Sequence, residues 1–268
     1  MTSADLDQPL PERSAFTFFA LVFLLSIPFW WIGWQADAQI LPGLPVSATM
    51  VVVPFLTASL LVLRAEGRAT LGSFLASVAD IRGMKLWVWI LAIGTMPFVM
   101  LVSAAIQAAT GDTLPAPQWD LVQIVLLFGL FFVSALAEEY GWTQFATAPL
   151  ARRYGIVGAG VCVGLIAAIW HLPPLLQADR NVEWILWWAL GTIARRIIII
   201  WLYMRSGQAL MSAVLFHTMS NLSWMLIPVM GSHYDPMVTG MVVLGLSACV
   251  VLTEKTHPVT PLPQAGGE

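Results

Sequence analysis

Residues 121–139 read LVQIVLLFGLFFVSALAEE, an apolar run that ends in two adjacent acids, Glu138 and Glu139. The stretch before the acids carries no charge. About 20 apolar residues are enough for an α-helix to span the hydrocarbon core of a bilayer. The segment therefore predicts a membrane helix that carries two carboxyl groups into or near hydrocarbon, where charge is costly and ionisable residues are usually functional.

The rest of the chain has the same membrane character. Of its 268 residues, 59% are hydrophobic and only 10% are charged, with a mean hydropathy of +0.81. A soluble domain usually has about 25% charged residues. We predict an all-α, polytopic membrane protein with about eight transmembrane helices, near 15–34, 46–63, 86–106, 121–148, 155–172, 184–204, 208–230 and 236–253.

The expected organisation is a single transmembrane domain. It covers 15–253, with a catalytic core at about 120–230, and short tails lie at 1–14 and 254–268. Lys and Arg residues mark the cytoplasmic loops of membrane proteins. Of the twelve basic residues, Arg195 and Arg196 fall within a span and Arg180 stands alone in the alternate loops. The others share one side, which predicts that both tails are cytoplasmic: Arg13, Arg64, Arg68, Arg82, Lys85, Arg152, Arg153, Arg205 and Lys255.

A few polar residues remain within the predicted spans. In the stretch HTMSN, His217 and Asn221 are four residues apart and share a helix face. His171 is followed by Leu172 and two prolines, and proline disfavours helix in the preceding residue, so the fifth span is expected to stop there. We predict that one cavity within the membrane gathers the set Glu138, His171, His217 and Asn221, with Glu139 beside it.

A carboxylate, two imidazoles and a carboxamide suit hydrolysis of an amide bond. A base deprotonates water, and fixed donors stabilise the oxyanion. Serine and cysteine are absent from any recognisable nucleophile motif, which favours activated water as the attacking group. A divalent metal such as zinc is the open alternative, with Glu138, His171 and His217 as its ligands, although the HExxH motif is absent.

Three stretches together resemble the CPBP intramembrane protease family, which includes the type II CAAX prenyl endopeptidases. They are AEEYGWTQFATAPLARRYG, IAAIWHLPPLL and WLYMRSGQALMSAVLFHTMSN, within about residues 120–230. The family pattern is EExxxR, then FxxxH, then HxxxN or HxxxD. The resemblance implies that Glu138 and His171 activate water, that His217 and Asn221 stabilise the oxyanion, and that the cavity opens toward the cytoplasm. It leaves the metal open, because members are described both as metalloproteases and as metal-free glutamate proteases.

Two positions depart from the family pattern. Thr143 stands where the family has arginine, and Ala167 stands where it has phenylalanine. A threonine cannot hold the acid pair charged. Arg195 or Arg196 is a hypothetical source of that cation from the sixth span; the alternative is that both arginines reach the membrane interface along their apolar stems.

The leading functional prediction is an intramembrane endopeptidase of the bacterial cytoplasmic membrane. Its expected partners are the lipid bilayer and a membrane-associated peptide or protein, with or without a lipid anchor, and no nucleic acid. One alternative is a non-proteolytic scaffold or immunity-type relative of the same fold, which Thr143 favours. A transporter is the other alternative, and the absence of an inverted repeat in the sequence disfavours it.

Overall fold

The structure is a computed structural model that describes residues 13–36 and 38–258. Most of the two predicted tails, 1–12 and 259–268, therefore lies outside the described residues. The described chain forms nine α-helices: α1 (Ala15–Ala36), α2 (Val52–Ala76), α3 (Leu86–Thr110), α4 (Leu121–Glu139), α5 (Thr147–Trp170), α6 (Leu172–Gln177), α7 (Val182–Arg205), α8 (Leu210–Leu226) and α9 (Pro236–Thr256).

The all-α prediction is confirmed, since strands in the described residues are confined to one small hairpin. Strand β1 (Gln39–Leu41) pairs antiparallel with β2 (Leu44–Pro45) in the connection between α1 and α2. A 3-10 helix, Val46–Val51, leads from this hairpin into α2. A second 3-10 turn, Ser77–Ala79, follows α2.

Seven of the helical segments in the described chain are long and apolar enough to cross a membrane. The exception among the eight predicted spans is 208–230, which corresponds to α8 and has only 17 residues. It ends at Leu226 because Ile227 precedes Pro228 and is extended, with φ −119° and ψ 116°. Most of α8 is buried among other helices rather than exposed along their outer surface.

One end of the bundle, here called the basic end, carries the described residues Arg13, Arg82 and Arg205. Arg13 at the start of α1 pairs with Glu66 of α2 at 2.8 Å. Arg205 at the end of α7 pairs with Glu254 of α9 at 3.2 Å. The first and last described helices therefore begin and end, respectively, at the same end of the bundle.

The opposite end, here called the mouth end, is formed by the β1–β2 hairpin and the α6–α7 and α8–α9 connections. The ring of Trp184 at the start of α7 lies 5.8 Å from that of Tyr234 between α8 and α9. The Arg180 guanidinium lies 4.7 Å from the Trp184 ring centroid. Gln123 at the start of α4 donates to the Met230 sulfur in the α8–α9 connection at 3.1 Å, so the start of α4 also lies here.

Helices α5 and α7 make a close contact through glycine. A Cβ atom added at Gly160 would lie 2.7 Å from the Cα of Ile197, and one added at Gly164 would lie 2.7 Å from the Cα of Ile193. Small residues allow helix backbones in membranes to approach this closely. This contact fixes the rotation of α7, and with it the direction in which Arg196 points.

The chain leaves α4 through a π-helical turn, Tyr140–Phe145, immediately after the acid pair. Its Gly141 packs against Phe18 and Pro54, where an added Cβ would lie within 2.7 Å of either side chain. The Trp142 ring is fully buried between Phe18 at 5.6 Å and Trp170 at 5.3 Å. These contacts hold the turn, a type of helix irregularity that is frequent at functional sites.

Helix α5 ends at Trp170, as the sequence predicts. His171 forms the junction, and α6 begins at Leu172 with the two prolines in its first turn, where a missing N–H removes no helical bond. Gly155, with φ 71°, separates the first turns of α5 from the remainder.

Candidate active site

Glu139 is the most completely bonded acid of the site. Its side chain is fully buried, and both of its oxygens accept from Arg196 Nη1, at 2.6 and 2.7 Å. Oε2 also accepts from the Thr143 hydroxyl at 2.5 Å, and Oε1 lies 2.6 Å from His217 Nδ1. Burial of a charge is tolerated when it is paired and hydrogen-bonded in this way.

Glu138 has a different environment. It is 3% exposed, and its Oε2 accepts from the indole N–H of Trp142 at 3.1 Å. Arg196 Nη2 lies 3.9 Å from the same oxygen. Arg196 thus neutralises Glu139 directly and Glu138 at longer range, and Oε1 of Glu138 is the carboxylate oxygen that these contacts leave for another group.

His171 is held by its backbone junction and by aromatic rings. Its Nδ1 lies 2.8 Å from the carbonyl oxygen of Ala167, which only accepts, so Nδ1 carries the proton. In the neutral imidazole, Nε2 is then an acceptor. The ring lies against Trp170 at 4.7 Å and Trp188 at 5.3 Å. Trp170 is fixed in turn by its N–H bond of 2.8 Å to Ser26 of α1.

His217 and Asn221 lie one turn apart on α8, on the face that the sequence predicts. The Nδ1 bond to Glu139 leaves Nε2 of His217 for another partner. Both residues are partly buried and contribute to the wall of one cavity.

That cavity has a volume of about 420 Å³ and contains the predicted set. Glu138 comes from α4, His171 from the α5–α6 junction, and His217 and Asn221 from α8, and all four line its wall. Glu139 does not line it and instead lies behind the wall, with Arg196 and His217 between it and the open volume. The structure therefore brings together side chains that are up to 83 positions apart in the sequence, from 138 to 221.

The expectation that the cavity opens toward the cytoplasm stays a prediction; within the bundle, the cavity extends from the acid pair toward the mouth end. From Glu138 its wall continues along α4 to Leu130 and along α7 to Trp184, and it reaches Gly43, Arg180 and Tyr234 at the mouth end. On the other side of the acid pair, the hydrogen-bonded network of Glu139, Arg196 and His217 occupies the interior.

Two side-chain hydrogen bonds to the acids were not predicted from the sequence, although both follow from helical spacing. Trp142 lies four residues after Glu138, and Thr143 lies four residues after Glu139; each donates to the carboxylate one turn before it. The i, i+4 rule for side-chain neighbours identifies both pairs. Of the two candidate arginines, only Arg196 reaches the acids, and its 4% exposure excludes the interface alternative for this residue.

The metal alternative depends on whether the donor groups of the site are placed to bind a metal ion. Among residues 13–36 and 38–258, no three His, Cys, Asp or Glu side chains are arranged to hold a metal ion. The two histidines use Nδ1 for Ala167 and Glu139, respectively. These bonds leave Nε2 of each histidine as its possible metal donor, and in their described positions these groups and Glu138 do not form a three-ligand zinc site.

Fold and site define a polytopic helical membrane protein with an acid–imidazole cavity inside its bundle. Residues 119–223 match the family described as Rce1-like, type II CAAX prenyl endopeptidase Rce1-like. This match covers α4 through most of α8 and contains the whole candidate site.

A curated relative extends the similarity beyond the core. CAAX prenyl protease 2 of Methanococcus maripaludis is 22% identical over 229 residues, which cover 80% of this chain and 81% of the relative. Both matches agree with the predicted resemblance to the CPBP/CAAX family of membrane proteases.

Proposed function

We propose that this protein is an intramembrane endopeptidase that hydrolyses a peptide bond of a membrane-associated substrate. The single observation that carries the proposal is the meeting of Glu138, His171, His217 and Asn221 in one cavity, although they come from three different parts of the fold. Ionisable side chains inside a membrane bundle cost free energy, and residues of this kind are usually functional.

Glu138 and His171 together hold and activate water. Oε1 of Glu138 and Nε2 of His171 are the atoms that the described contacts leave for it. Either atom accepts a proton from water as the oxygen attacks the peptide carbonyl, and returns it to the leaving amine. Their fixed partners, Trp142 and the Ala167 carbonyl, keep both side chains oriented before substrate arrives.

His217 and Asn221 stabilise the oxyanion that forms on the attacked carbonyl. Asn221 offers an amide N–H, and His217 offers Nε2–H when its imidazole is protonated, because Nδ1–H is already donated to the Glu139 carboxylate. Glu139 is a positioning residue in this scheme, since it touches His217 and Arg196 but not the cavity.

Arg196 takes the role that the family assigns to the arginine of EExxxR. Thr143 occupies the family position, yet the carboxylate there is still neutralised by a cation from α7. The departure that favours a non-proteolytic scaffold is thereby compensated within the same site, so the scaffold alternative loses its specific support.

A tethered substrate suits the outer wall of the cavity. Val52 on α2, and Leu130 and Val133 on α4, line the cavity and are also 41%, 42% and 66% exposed on the outside of the bundle. An apolar rim between these helices lets a lipid-anchored or membrane-spanning peptide enter from the bilayer. We propose the bacterial cytoplasmic membrane as the location and lipid as the surrounding partner.

Cleavage of tethered peptides tests the proposal. Wild type and Glu138→Gln are reconstituted in nanodiscs with libraries of lipidated and membrane-spanning peptides, and products are identified by mass spectrometry. Glu183→Gln, an exposed acid at the start of α7, is the matched control. Cleavage by wild type and Glu183→Gln, absent in Glu138→Gln, is expected. Silence from all three rejects the endopeptidase, and metal analysis of the same samples measures any zinc directly.

A further inference from the structure

The cavity is closed toward the basic end of the bundle. Among the described residues, its wall extends no further in that direction than Glu138 on α4, Ile199 on α7 and His217 on α8, and it includes none from the loops at that end. Beyond these positions the interior is filled by a layer of side chains that are at most 4% exposed: Trp142, Phe145, Ile200, Tyr203 and Leu210. Water and substrate therefore do not reach the acid pair from the basic end.

The same cavity continues to the mouth end. There its wall includes Gly43 of the β1–β2 hairpin, Arg180, Trp184 and Tyr234, all of which are half-buried, so the wall reaches the surface. The lateral rim between α2 and α4 faces hydrocarbon instead. Hydrolysis consumes one water molecule for each bond that is cleaved, and the mouth end is the route by which the cavity receives it.

The two ends of the bundle differ in charge. At the mouth end, the described residues include one basic side chain, Arg180, against five acidic ones: Asp112, Asp120, Asp179, Glu183 and Asp235. At the basic end, three acidic side chains, Glu66, Asp80 and Glu254, stand against nine basic ones: Arg13, Arg64, Arg68, Arg82, Lys85, Arg152, Arg153, Arg205 and Lys255. Basic residues close to the ends of membrane helices are the ones that set orientation.

Two helix bends place several of these cations at the end of a span. Gly67 in α2 and Gly155 in α5 have φ values of 85° and 71°, which interrupt the helical path. Four exposed basic side chains stand beside the bends: Arg64, Arg68, Arg152 and Arg153. The chain thus leaves the direction of the span where its charges begin, as expected at a membrane surface.

We propose that the basic end faces the cytoplasm and that the cavity opens on the opposite side of the membrane, so that the protein cleaves exported peptides. This inference rests on the proposed endopeptidase function, and it is opposite to the side that the family resemblance implies. Short loops rich in Lys and Arg stay in the cytoplasm. The reverse orientation would carry the nine basic side chains of the basic end across the membrane and retain only Arg180.

The consequence is a place in a sequence of reactions. Translocation or membrane insertion of the substrate precedes its cleavage, because the scissile bond has to reach the acid pair from the mouth side. The substrate class is an exported peptide or protein that remains tethered by a lipid or by a membrane-spanning helix. A peptide whose only anchor lies in the cytoplasmic leaflet meets the closed end of the bundle and is not cleaved.

A cysteine in the cavity wall tests the direction of access without turnover. Ser220 of α8 lines the cavity, and Ser220→Cys is made in protein that lacks Cys162 and Cys249. Right-side-out and inside-out membrane vesicles are treated with a small thiol reagent of fixed negative charge. We expect labelling at least about tenfold faster in right-side-out vesicles, because a fixed charge does not cross hydrocarbon. The cysteine-free parent is the control for background labelling.

Faster labelling in inside-out vesicles overturns the proposal, and so do equal rates in the two preparations. A marker enzyme of the cytoplasmic face verifies vesicle orientation. If Ser220→Cys does not accumulate in the membrane, Ser134→Cys on α4, which also lines the cavity, replaces it with the same expected result.

Cleavage in the same vesicles separates this inference from the proposed function. Palmitoylated peptides are added from outside, and wild type should cleave them in right-side-out vesicles but in inside-out vesicles only after detergent opens them. Glu138→Gln is the inactive control. The expected labelling without any cleavage in detergent keeps the orientation and rejects the endopeptidase. Cleavage that is faster in intact inside-out vesicles keeps the endopeptidase and rejects the orientation.

Discussion

Arg196 Nη1 lies 2.6 Å from Oε1 of Glu139 and 2.7 Å from Oε2, and this contact joins α7 to α4 inside the bundle. Neither residue is more than 4% exposed. The pair neutralises one of the two acids of the candidate site, although the two residues are 57 positions apart. The positions of Glu138 and His217 both depend on it.

Removing this cation should destabilise the protein severely. Arg196→Gln leaves the Glu139 carboxylate buried without its counter-charge, and breaking such a pair costs about 3–5 kcal/mol. Denaturant unfolding in detergent measures the loss. Arg195→Gln is the matched control on the same helix and should cost much less, because its cation faces the cavity. Equal effects of the two changes would contradict the assignment of Arg196.

A second substitution, Thr143→Arg, should restore part of the stability that Arg196→Gln removes. Thr143→Arg places a guanidinium four residues after Glu139, where the Thr143 hydroxyl already donates to the same carboxylate. We expect the double variant Thr143→Arg, Arg196→Gln to regain part of the unfolding free energy and of the peptidase activity. Thr143→Lys in the same background should restore less, since lysine lacks the bidentate geometry of arginine. If neither Thr143→Arg nor Thr143→Lys restored stability or activity, a cation at position 143 could not replace the one at position 196, and the prediction would be contradicted.

Replacing Glu138 and Glu139 one at a time by glutamine should have different effects on turnover and on melting temperature. Glu138→Gln is expected to lower turnover about 100-fold or more while the melting temperature changes little, because Glu138 is the proposed base and has only one close donor. Glu139→Gln should lower both turnover and melting temperature, since four contacts depend on its charge. Turnover with Glu138→Gln at the wild-type rate would remove Glu138 from the reaction.

The glycine contact between α5 and α7 predicts a packing effect on stability. Gly160→Ala adds a Cβ within 2.7 Å of the Ile197 Cα, so the helices must separate, at a cost of roughly 1–3 kcal/mol. Gly94→Ala on α3 has no atom within 4 Å of its new Cβ and should be neutral or stabilising by up to about 1 kcal/mol. Thermal unfolding compares the two. A destabilising Gly94→Ala with a neutral Gly160→Ala would show that the helices pack differently.

The two ends of the bundle should lie on opposite sides of the membrane. In a background without Cys162 and Cys249, Arg82→Cys reports the basic end and Ser232→Cys reports the mouth end; both positions are exposed. The positive-inside rule predicts that an impermeant maleimide labels Ser232→Cys in intact cells and Arg82→Cys only after lysis. The opposite pattern would place the cavity mouth in the cytoplasm.

Much of the architecture follows from local sequence. Apolar runs of about 20 residues locate the helices, and Pro173 and Pro174 locate the break at His171. The spacing of His217 and Asn221 predicts their common helix face. These features depend on neighbours along the chain, which sequence patterns record directly.

The features that could not be predicted from the sequence depend on how the helices are rotated and packed against one another. The choice between Arg195 and Arg196 follows from the orientation of α7, which is set by its contact with Gly160 and Gly164. The direction of the cavity depends on which part of the interior the Glu139 network fills. The burial of most of α8 also depends on packing, because other helices cover it.

The source of the cation also has a consequence for biogenesis. When a counter-charge lies one turn from an acid on the same helix, the pair enters the membrane together and is neutral from the start. Here the partner of Glu139 arrives only when α7 has been synthesised, inserted and docked. The nascent chain therefore carries an unbalanced acid pair through the insertion machinery, and the candidate site is incomplete until the later helices have assembled around it.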